Sequence, residues 1–573
     1  MFPLHDPLDE VLRTELASYD DLTAALLARR GIMTKEAAEK FLNPSYDLHL
    51  YDPLLMTDME KAAKRFASAI LSREHIAVWS DYDCDGIPGG SLLHDFLKKA
   101  GANFQNYIPH RHEEGYGMNV SGIEKLAKDG VTLIITADSG ITDTKPVARA
   151  KELGIDVIIT DHHLPGETLP EAFAVVNPNA REDEAYPFHG LCGSAVAWKL
   201  ICATLAVEPK LREKVPEGWE KWLLDMVGLA TIADMVPLID ENRLLATYGL
   251  LVMRKSPRIG LQKLCRGMRV NQRTITEDDV GFMIAPRVNA ASRMGDARDA
   301  FRLFTTEDES EADALAKKLE KANRQRKAEA GAITRAVHTR LKEREVRSVI
   351  ALGDPEWRPA LLGLVCNTIA DEYERPVFLW GREGNMSLKG SVRSGGDTHI
   401  LELMRGTENM FVEFGGHAKA GGFTVQDTEV FFLEDRLVEA HARLETQEAE
   451  DDLSKHADGT IAPEEINESF LKKIERLAPF GMENPKPVFL LREVIAHEIS
   501  RFGKGEEHLK LKIAAHEGNV HIDAVTFFAK GAIARTAETL SSGSRVHMLA
   551  HLERDTFSRG NPVRLRLIDI RMV

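Results

Sequence analysis

No apolar stretch approaches the roughly 20 residues that a membrane-spanning helix needs. The opening residues, MFPLHDPLDEVLRTEL, also lack the basic segment and apolar core of a secretory signal. A cytoplasmic chain with no membrane partner is therefore expected. Cysteine is scarce. The five cysteines (Cys84, Cys192, Cys202, Cys265 and Cys366) are far apart and include no CxxC pair, so neither a zinc ribbon nor a disulfide framework is supported. Positive charge is short as well: 73 Lys and Arg face 89 Asp and Glu, for a formal net charge of −16. The surface as a whole repels nucleic acid, and any binding of phosphates must be local to a groove. The chain contains no GxxxxGK[ST] loop, so ATP-driven unwinding is not expected.

What is present is an ordinary globular composition, 43% hydrophobic and 28% charged over 573 residues, long enough for about three or four domains. From Ile76 to Thr160, the short apolar runs IAVWS, VTLIITAD and IDVIITD alternate with the helix-like SLLHDFLKKA and TKPVARAKELG, the pattern of βαβ units in a parallel sheet. Between Glu311 and Glu345 the chain is rich in Ala, Lys, Glu, Leu and Arg and has no Pro, which predicts a long helical connector. A second α/β unit follows, with VRSVIALG and RPVFLWG flanking LLGLVCNTIADEY. After LAPFGMENPKPVF, five β-like runs without long helices between them predict a small barrel of the OB-fold type. The expected fold is thus α/β, divided into an N-terminal helical segment (1–50), a parallel-sheet catalytic domain (51–305), the connector (306–345), a second α/β domain (346–453) and the barrel (454–573). The acidic stretches TEDESEAD (306–313) and ETQEAEDD (445–452) read as solvated helix ends or linkers.

Each early strand-like run ends on a carboxylate. Asp81, Asp138 and Asp161 are thereby brought to one edge of a parallel sheet, where ligands of such sheets collect. In Asp81-Tyr82-Asp83-Cys84-Asp85-Gly86, three carboxylates stand at alternate positions, and burying them is costly unless a cation neutralises them. Oxygen-rich sites suit Mg²⁺ or Mn²⁺, and a histidine in the set favours Mn²⁺. A calcium loop of the EF-hand type would need a glutamate where Leu92 stands, and helices on both sides. Asp161-His162-His163 closes a strand with an acid and two imidazoles, which points to a metal or phosphate site. Asp234, in GLATIADMVPL, could by itself be a helix cap or a turn acid. The glycine pairs around His417 in GGHAKAGG let backbone N–H groups approach an anion. Tyr116, in the Gly-rich PHRHEEGYG beside Arg111, is suited to stacking on a base.

In this order, DYDCDG, TADSG, DHH and ATIADMVPL resemble the four motifs of the DHH phosphoesterase superfamily. GLCGSAVAWKL, PRVNAASRMGDA, GSVRS, GGHAKAGG, LAPFGMENPKPVF and the N-terminal ARRGIMTKEAAEKFLNPSYDLHLYDP extend the likeness over nearly the whole chain to its RecJ-like branch of DHH and DHHA1 domains. The resemblance implies metal-dependent hydrolysis of single-stranded DNA from the 5′ end, releasing mononucleotides, in repair and recombination. It implies two divalent ions, Mn²⁺ or Mg²⁺, held by Asp81, Asp83, Asp85, Asp138, His162 and Asp234. Asp161 would stand among or beside these ligands, and His163 would touch the scissile phosphate or a neighbour of it. The substrate contacts it implies are Gly416 and His417 on a phosphate, Arg393 with Ser391 and Ser394 on a 5′-terminal phosphate, and Arg287, Asn289 and Arg293 on backbone phosphates. Arg111 and Tyr116 would meet the strand near the sheet edge. A monomer that partners single-strand-binding protein and needs a single-stranded 5′ end is expected on the same ground. A phosphodiesterase for oligonucleotides or cyclic dinucleotides, or a silent replication scaffold of the Cdc45 group, are the alternatives. The terminal barrel speaks against the first, and the full set of acids and histidines against the second.

Overall fold

β1 (His75–Ser80) sends Ile76 and Val78 into one buried layer and Ala77 and Trp79 into another, as the two-residue period of a strand requires. The computed structural model describes residues 2–382, 387–444, 456–503, 505–514, 521–529, 531–555 and 563–573, so the acidic stretch 445–452 and the boundary at 453/454 lie outside the described residues. With β2 (Asn103–Tyr107), β3 (Leu133–Ala137), β4 (Asp156–Thr160) and β5 (Ala174–Val176), β1 forms an all-parallel sheet of order β2-β1-β3-β4-β5. Helices Met59–Leu71, Gly86–Ala100 and Gly193–Val207 cover one face. Helices Val120–Lys128 and Thr144–Glu152 cover the other. Burial on both faces accounts for the near-continuous apolar text of β3, interrupted only by Thr136. The strand order reverses between β1 and β3, and a crevice therefore opens outside their carboxyl ends. Asp81 and Asp138 stand at its two lips.

The same compact unit takes in Met1–Ser292, Asp296–Leu319 and Leu453–Val573. Its last part is the expected barrel: β11 (Gly459–Thr460), β12 (Phe489–Phe502), β13 (His508–Ala514), β14 (His521–Thr526), β15 (Ser544–Arg554) and β16 (Val563–Met572). The pairing of β12 with β15 closes β12, β13, β14, β16 and β15 into a ring. Among the described residues the N-terminal helices build no core of their own. Leu16, Leu26, Leu27 and Phe41 share one apolar cluster with Phe489, Leu511, Val546 and Leu565 of the barrel. Arg243, on helix Asp240–Met253 and 2% exposed, ties these parts together. Its guanidinium lies 3.6 Å from the centre of the Phe41 ring and donates to the carbonyls of Phe41 (2.6 Å), Leu477 (2.8 Å) and Ala478 (2.9 Å).

The connector is the 34-residue helix Glu309–Lys342, about 51 Å long at 1.5 Å per residue. Its first turns contribute Ala312, Leu315 and Leu319 to the core of the first unit. Its last contribute Ile333, Val337 and Leu341 to that of the second, which comprises Arg293–Gly295 and Glu320–Asp452. There β6 (Ile350–Gly353), β7 (Val377–Gly381), β8 (Leu388–Arg393), β9 (Phe411–Gly416) and β10 (Ala420–Val425) form a mixed sheet of order β6-β7-β8-β10-β9, with helix Pro359–Tyr373 packed against β7 and β8. Among the described residues no helix is long and apolar enough to cross a membrane.

Arg243→Ala would leave three carbonyls without their donor, and should destabilise the first unit by about 3 kcal/mol. Urea titration followed by tryptophan fluorescence measures this, and a loss below about 1 kcal/mol would mean that the guanidinium does not hold these segments together.

Candidate metal centre

The turn after β1 is shaped by its own carboxylates. The Asp81 N–H donates to the Ala137 carbonyl at 3.2 Å, which carries the β1–β3 pairing one residue beyond the strand. Asp83 Oδ1 accepts the N–H groups of Asp85 (2.8 Å) and Gly86 (3.1 Å) at the start of helix Gly86–Ala100, where unpaired donors and the helix dipole favour an anion. A Cβ on Gly86 would sit 2.5 Å from the Asp81 carbonyl oxygen, so only glycine allows the chain to double back so tightly. Asp85, 1% exposed, is held by another helix start: its oxygens accept the N–H groups of Gly193 (2.6 Å) and Ser194 (2.8 Å), while Ser194 Oγ donates to its carbonyl at 2.6 Å. Asn289 Oδ1 accepts the Cys84 N–H at 3.0 Å.

Asp138, at the end of β3, takes the left-handed conformation (φ 62°), uncommon for a side chain other than Gly, and its N–H donates to the Thr160 carbonyl at 3.1 Å. Asp161, at the end of β4, accepts hydrogen bonds at both oxygens. Its Oδ2 accepts the Ile141 N–H (3.0 Å), and its Oδ1 accepts the His162 N–H (2.7 Å) and the His163 Nδ1–H (2.8 Å). A carboxylate only accepts, so His163 carries its proton on Nδ1. The Tyr116 hydroxyl lies 3.1 Å from the same nitrogen and donates to the Asp138 carbonyl at 3.4 Å. Asn177 and Asn179, just past β5, donate to the carbonyls of His163 (2.9 Å) and His162 (2.6 Å). His162 Nε2 points inward, 3.2 Å from Asp138 Oδ1, 3.6 Å from Asp234 Oδ2 and 3.7 Å from Asp85 Oδ2. Asp234 arrives from the C-terminal end of helix Leu224–Ala233.

Burial and the adjacent Asp83 push Asp81 well above the ordinary carboxylate range. Burial and Asp85 do the same to Asp138, and Asp234 is pushed up to about 9 by burial with Asp85 and Asp83. Burial opposes charge on His163 also, yet the Asp161 hydrogen bond and the surrounding carboxylates prevail and raise it to about 9. Asp81 Oδ1, Asp138 Oδ1 and His162 Nε2 are buried with no hydrogen-bond partner among the described residues, a condition that costs stability unless something binds them. Ligand atoms of Asp81, Asp83 and Asp138 lie within 4.8 Å of one another, and so do those of Asp85, His162 and Asp234. A third set, Asp138, His162 and His163, meets the same limit and overlaps both. Hard oxygens with one or two imidazoles, converging in neighbouring groups, fit divalent cations of the Mg²⁺ or Mn²⁺ class.

A model of the DHH family, N-terminal domain, matches residues 75–231, a DHHA1 domain model matches 346–450, and a RecJ OB domain model matches 457–569. The single-stranded-DNA-specific exonuclease RecJ of Bacillus subtilis (strain 168) is 34% identical over 97% of this chain and 68% of its own length. This chain belongs to the RecJ family. The Escherichia coli (strain K12) protein of the same name is 30% identical, over 89% of each chain. The crystal structure of RecJ from Thermus thermophilus in complex with Mn²⁺ matches with a TM-score of 0.80 at 27% identity, covering 100% of this chain and 79% of that one. The Mg²⁺ complex of that RecJ matches with a TM-score of 0.74 at 26% identity, over 100% and 78%.

All six residues read as ligands from the RecJ-like motifs come together in this cluster, and His163 joins Asp138 and His162 in one of its sets, whereas Asp161 enters none of the sets and orients His163. Arg111 and Tyr116 do not pair with each other: Arg111 stacks over the Tyr82 ring at 4.7 Å, and Tyr116 leans on His163 with ring centres 5.7 Å apart. Asn289, expected on a phosphate, spends its oxygen on Cys84. Arg287 donates to the Met283 carbonyl (2.7 Å), across a π-helical turn at Asp279–Ile284, and Arg293 donates to the Ala360 carbonyl (2.7 Å). In the second unit, Ser391 and Arg393 share one face of β8, over Gly363 of helix Pro359–Tyr373, where a Cβ would meet Arg393 Nη2 at 3.0 Å. Ser394 Oγ donates to the Thr398 carbonyl at 2.8 Å, and its N–H donates to the Lys419 carbonyl at 2.9 Å. Gly416 ends β9 at φ 149° and His417 follows in the turn to β10, its N–H on the Ala420 carbonyl at 2.8 Å. Sequence reasoning gave no role to Gly193, Ser194, Asn177 or Asn179. The available signals were small residues opening an apolar helix and the NPN that directly follows a strand.

A Cβ on Gly193 would lie 2.6 Å from Asp138 Cα, so Gly193→Ala must push the helix start away from Asp85. Mn²⁺ affinity measured by calorimetry should fall at least about tenfold with the circular dichroism spectrum unchanged. Unaltered affinity would show that the helix start is not part of the centre.

Proposed function

We propose that the protein hydrolyses phosphodiester bonds of single-stranded DNA from the 5′ end, releasing mononucleotides, with two Mn²⁺ or Mg²⁺ ions held by Asp81, Asp83, Asp138 and by Asp85, His162, Asp234. The observation that carries this is the cluster of overlapping acid and histidine ligand sets, with orphaned oxygens, at the switch point of the sheet, in a chain of the RecJ family. Ions so placed supply an activated water, a grip on the phosphate oxygens and relief of charge on the leaving oxygen. The protein contributes the geometry. Asp161 holds His163 by Nδ1 and leaves Nε2 for a phosphate oxygen. Asp85, clasped by the Gly193 and Ser194 amides, keeps its ligand oxygens still. Arg393 and Ser391, side by side on β8, offer oriented donors to a 5′-terminal phosphate, and Gly416 and His417 offer them to another phosphate. A monomer that partners single-strand-binding protein is proposed on the family likeness.

Incubation of 5′-labelled and 3′-labelled strands with Mn²⁺ tests this reading. Mononucleotides should leave the 5′ end, chelation should stop the reaction, and Asp138→Ala should abolish it with the fold intact, since losing one of several repelling acids relieves repulsion as it removes the ion. Activity of Asp138→Ala within about tenfold of wild type would sink the assignment, and preference for dinucleotides over strands would move it to a small-substrate phosphodiesterase. Arg393→Ala should slow 5′-phosphorylated strands far more than 5′-hydroxyl strands, by about 1.5–3 kcal/mol in kcat/KM. Equal loss on both substrates would remove Arg393 from the terminal-phosphate pocket.

A further inference from the structure

Asp143 directly precedes helix Thr144–Glu152, where an aspartate ordinarily turns back to cap the helix. Here it makes no cap hydrogen bond. Its Oδ2 instead reaches 25 residues back along the chain and accepts the Met118 N–H at 2.7 Å. The carboxylate also fills the space beside Gly117, whose absent Cβ would lie 2.7 Å from Asp143 Oδ1, and Gly117 is in the left-handed region (φ 78°) that glycine tolerates best. The other end of this turn is fastened separately: Glu114 accepts the His110 N–H (2.7 Å), the Tyr107 hydroxyl (2.5 Å) and Asn119 Nδ2 (3.2 Å). Between the two fastenings stands Tyr116, flanked by Gly115 and Gly117, both at positive φ. Its hydroxyl meets His163 and the Asp138 carbonyl, while the residue remains 46% exposed. A loop with a glycine on each side of its aromatic residue has no local reason to hold that ring still. Beside the hydroxyl's own contacts, the two carboxylates fasten the backbone on either side of the ring.

We propose that Asp143 is a positioning residue for strand binding: by fastening Met118 and Gly117 it holds the Tyr116 ring upright beside the metal centre as a platform for a nucleobase. This rests on the exonuclease reading above. An immobilised ring loses less freedom when a base stacks on it, and base–aromatic stacking is sequence-tolerant.

Steady-state kinetics with Mn²⁺ on a single-stranded oligonucleotide, and on the small diester bis(p-nitrophenyl) phosphate, test the proposal. Asp143→Ala should raise KM for the oligonucleotide about tenfold with kcat within about threefold, and leave diester hydrolysis unchanged. Asp143→Asn, which keeps an acceptor oxygen for Met118, should restore KM. In the Tyr116→Ala background, Asp143→Ala should add no further loss, because both act through one ring. A wild-type KM for Asp143→Ala, additive losses in the double variant, or a parallel loss on the diester would each overturn the assignment. Trypsin cleavage after Arg111 gives a readout that needs no nuclease activity: Asp143→Ala should accelerate it and Asp143→Asn should not, and equal rates in all three proteins would overturn the clamp. Failure of the wild-type protein to degrade strands would count against the exonuclease reading instead, leaving the trypsin comparison to judge the clamp.

Discussion

Mutual repulsion among buried carboxylates is the constraint on which the rest depends. Asp81, Asp83, Asp85, Asp138 and Asp234 converge on a crevice where burial alone would drive several of them to hold protons. The protein relieves this in two ways. Asp83 and Asp85 receive backbone N–H groups at two helix starts, which stabilise negative charge without adding a cation. Oδ1 of Asp81 and Oδ1 of Asp138 have no hydrogen-bond partner among the described residues, and that residual demand is what divalent ions meet.

Much of the surrounding structure exists to keep these groups close. Glycine stands at residues 86 and 193 because backbone passes within 3 Å of where a Cβ would be. Asp161 accepts from the Ile141 and His162 N–H groups and from the His163 ring, and the result is a fixed orientation of His163 and a fixed entry for His162. Asn177 and Asn179 hold the carbonyls of the same two histidines, so the imidazoles are oriented from the main chain as well as from the side chain. Arg243 has a comparable role at a larger scale: a buried cation surrounded by carbonyls joins the N-terminal helices and the turn before the barrel to a core helix.

The element order, the parallel sheet with acids at its strand ends, the connector, the second α/β unit and the closed barrel were all legible in the sequence by itself, because each is written in local periodicity and in where apolar runs stop. The convergence of Asp81, Asp138 and Asp161 was legible too, since β-strand geometry delivers successive strand ends to one edge, whereas Asp234, at a helix end, was placed with them only by the likeness to the family's motifs. Tertiary structure alone decided where the remaining hydrogen-bonding capacity went. Asn289 could have faced a phosphate and faces Cys84. Asp143 could have capped its own helix and fastens a distant turn. The N-terminal helices could have formed a separate body and complete the core of the barrel. In each case the side chain has several partners of similar strength within reach, and the choice among them depends on which backbone atoms approach through space from 25 to several hundred residues away. Local sequence does not encode that approach.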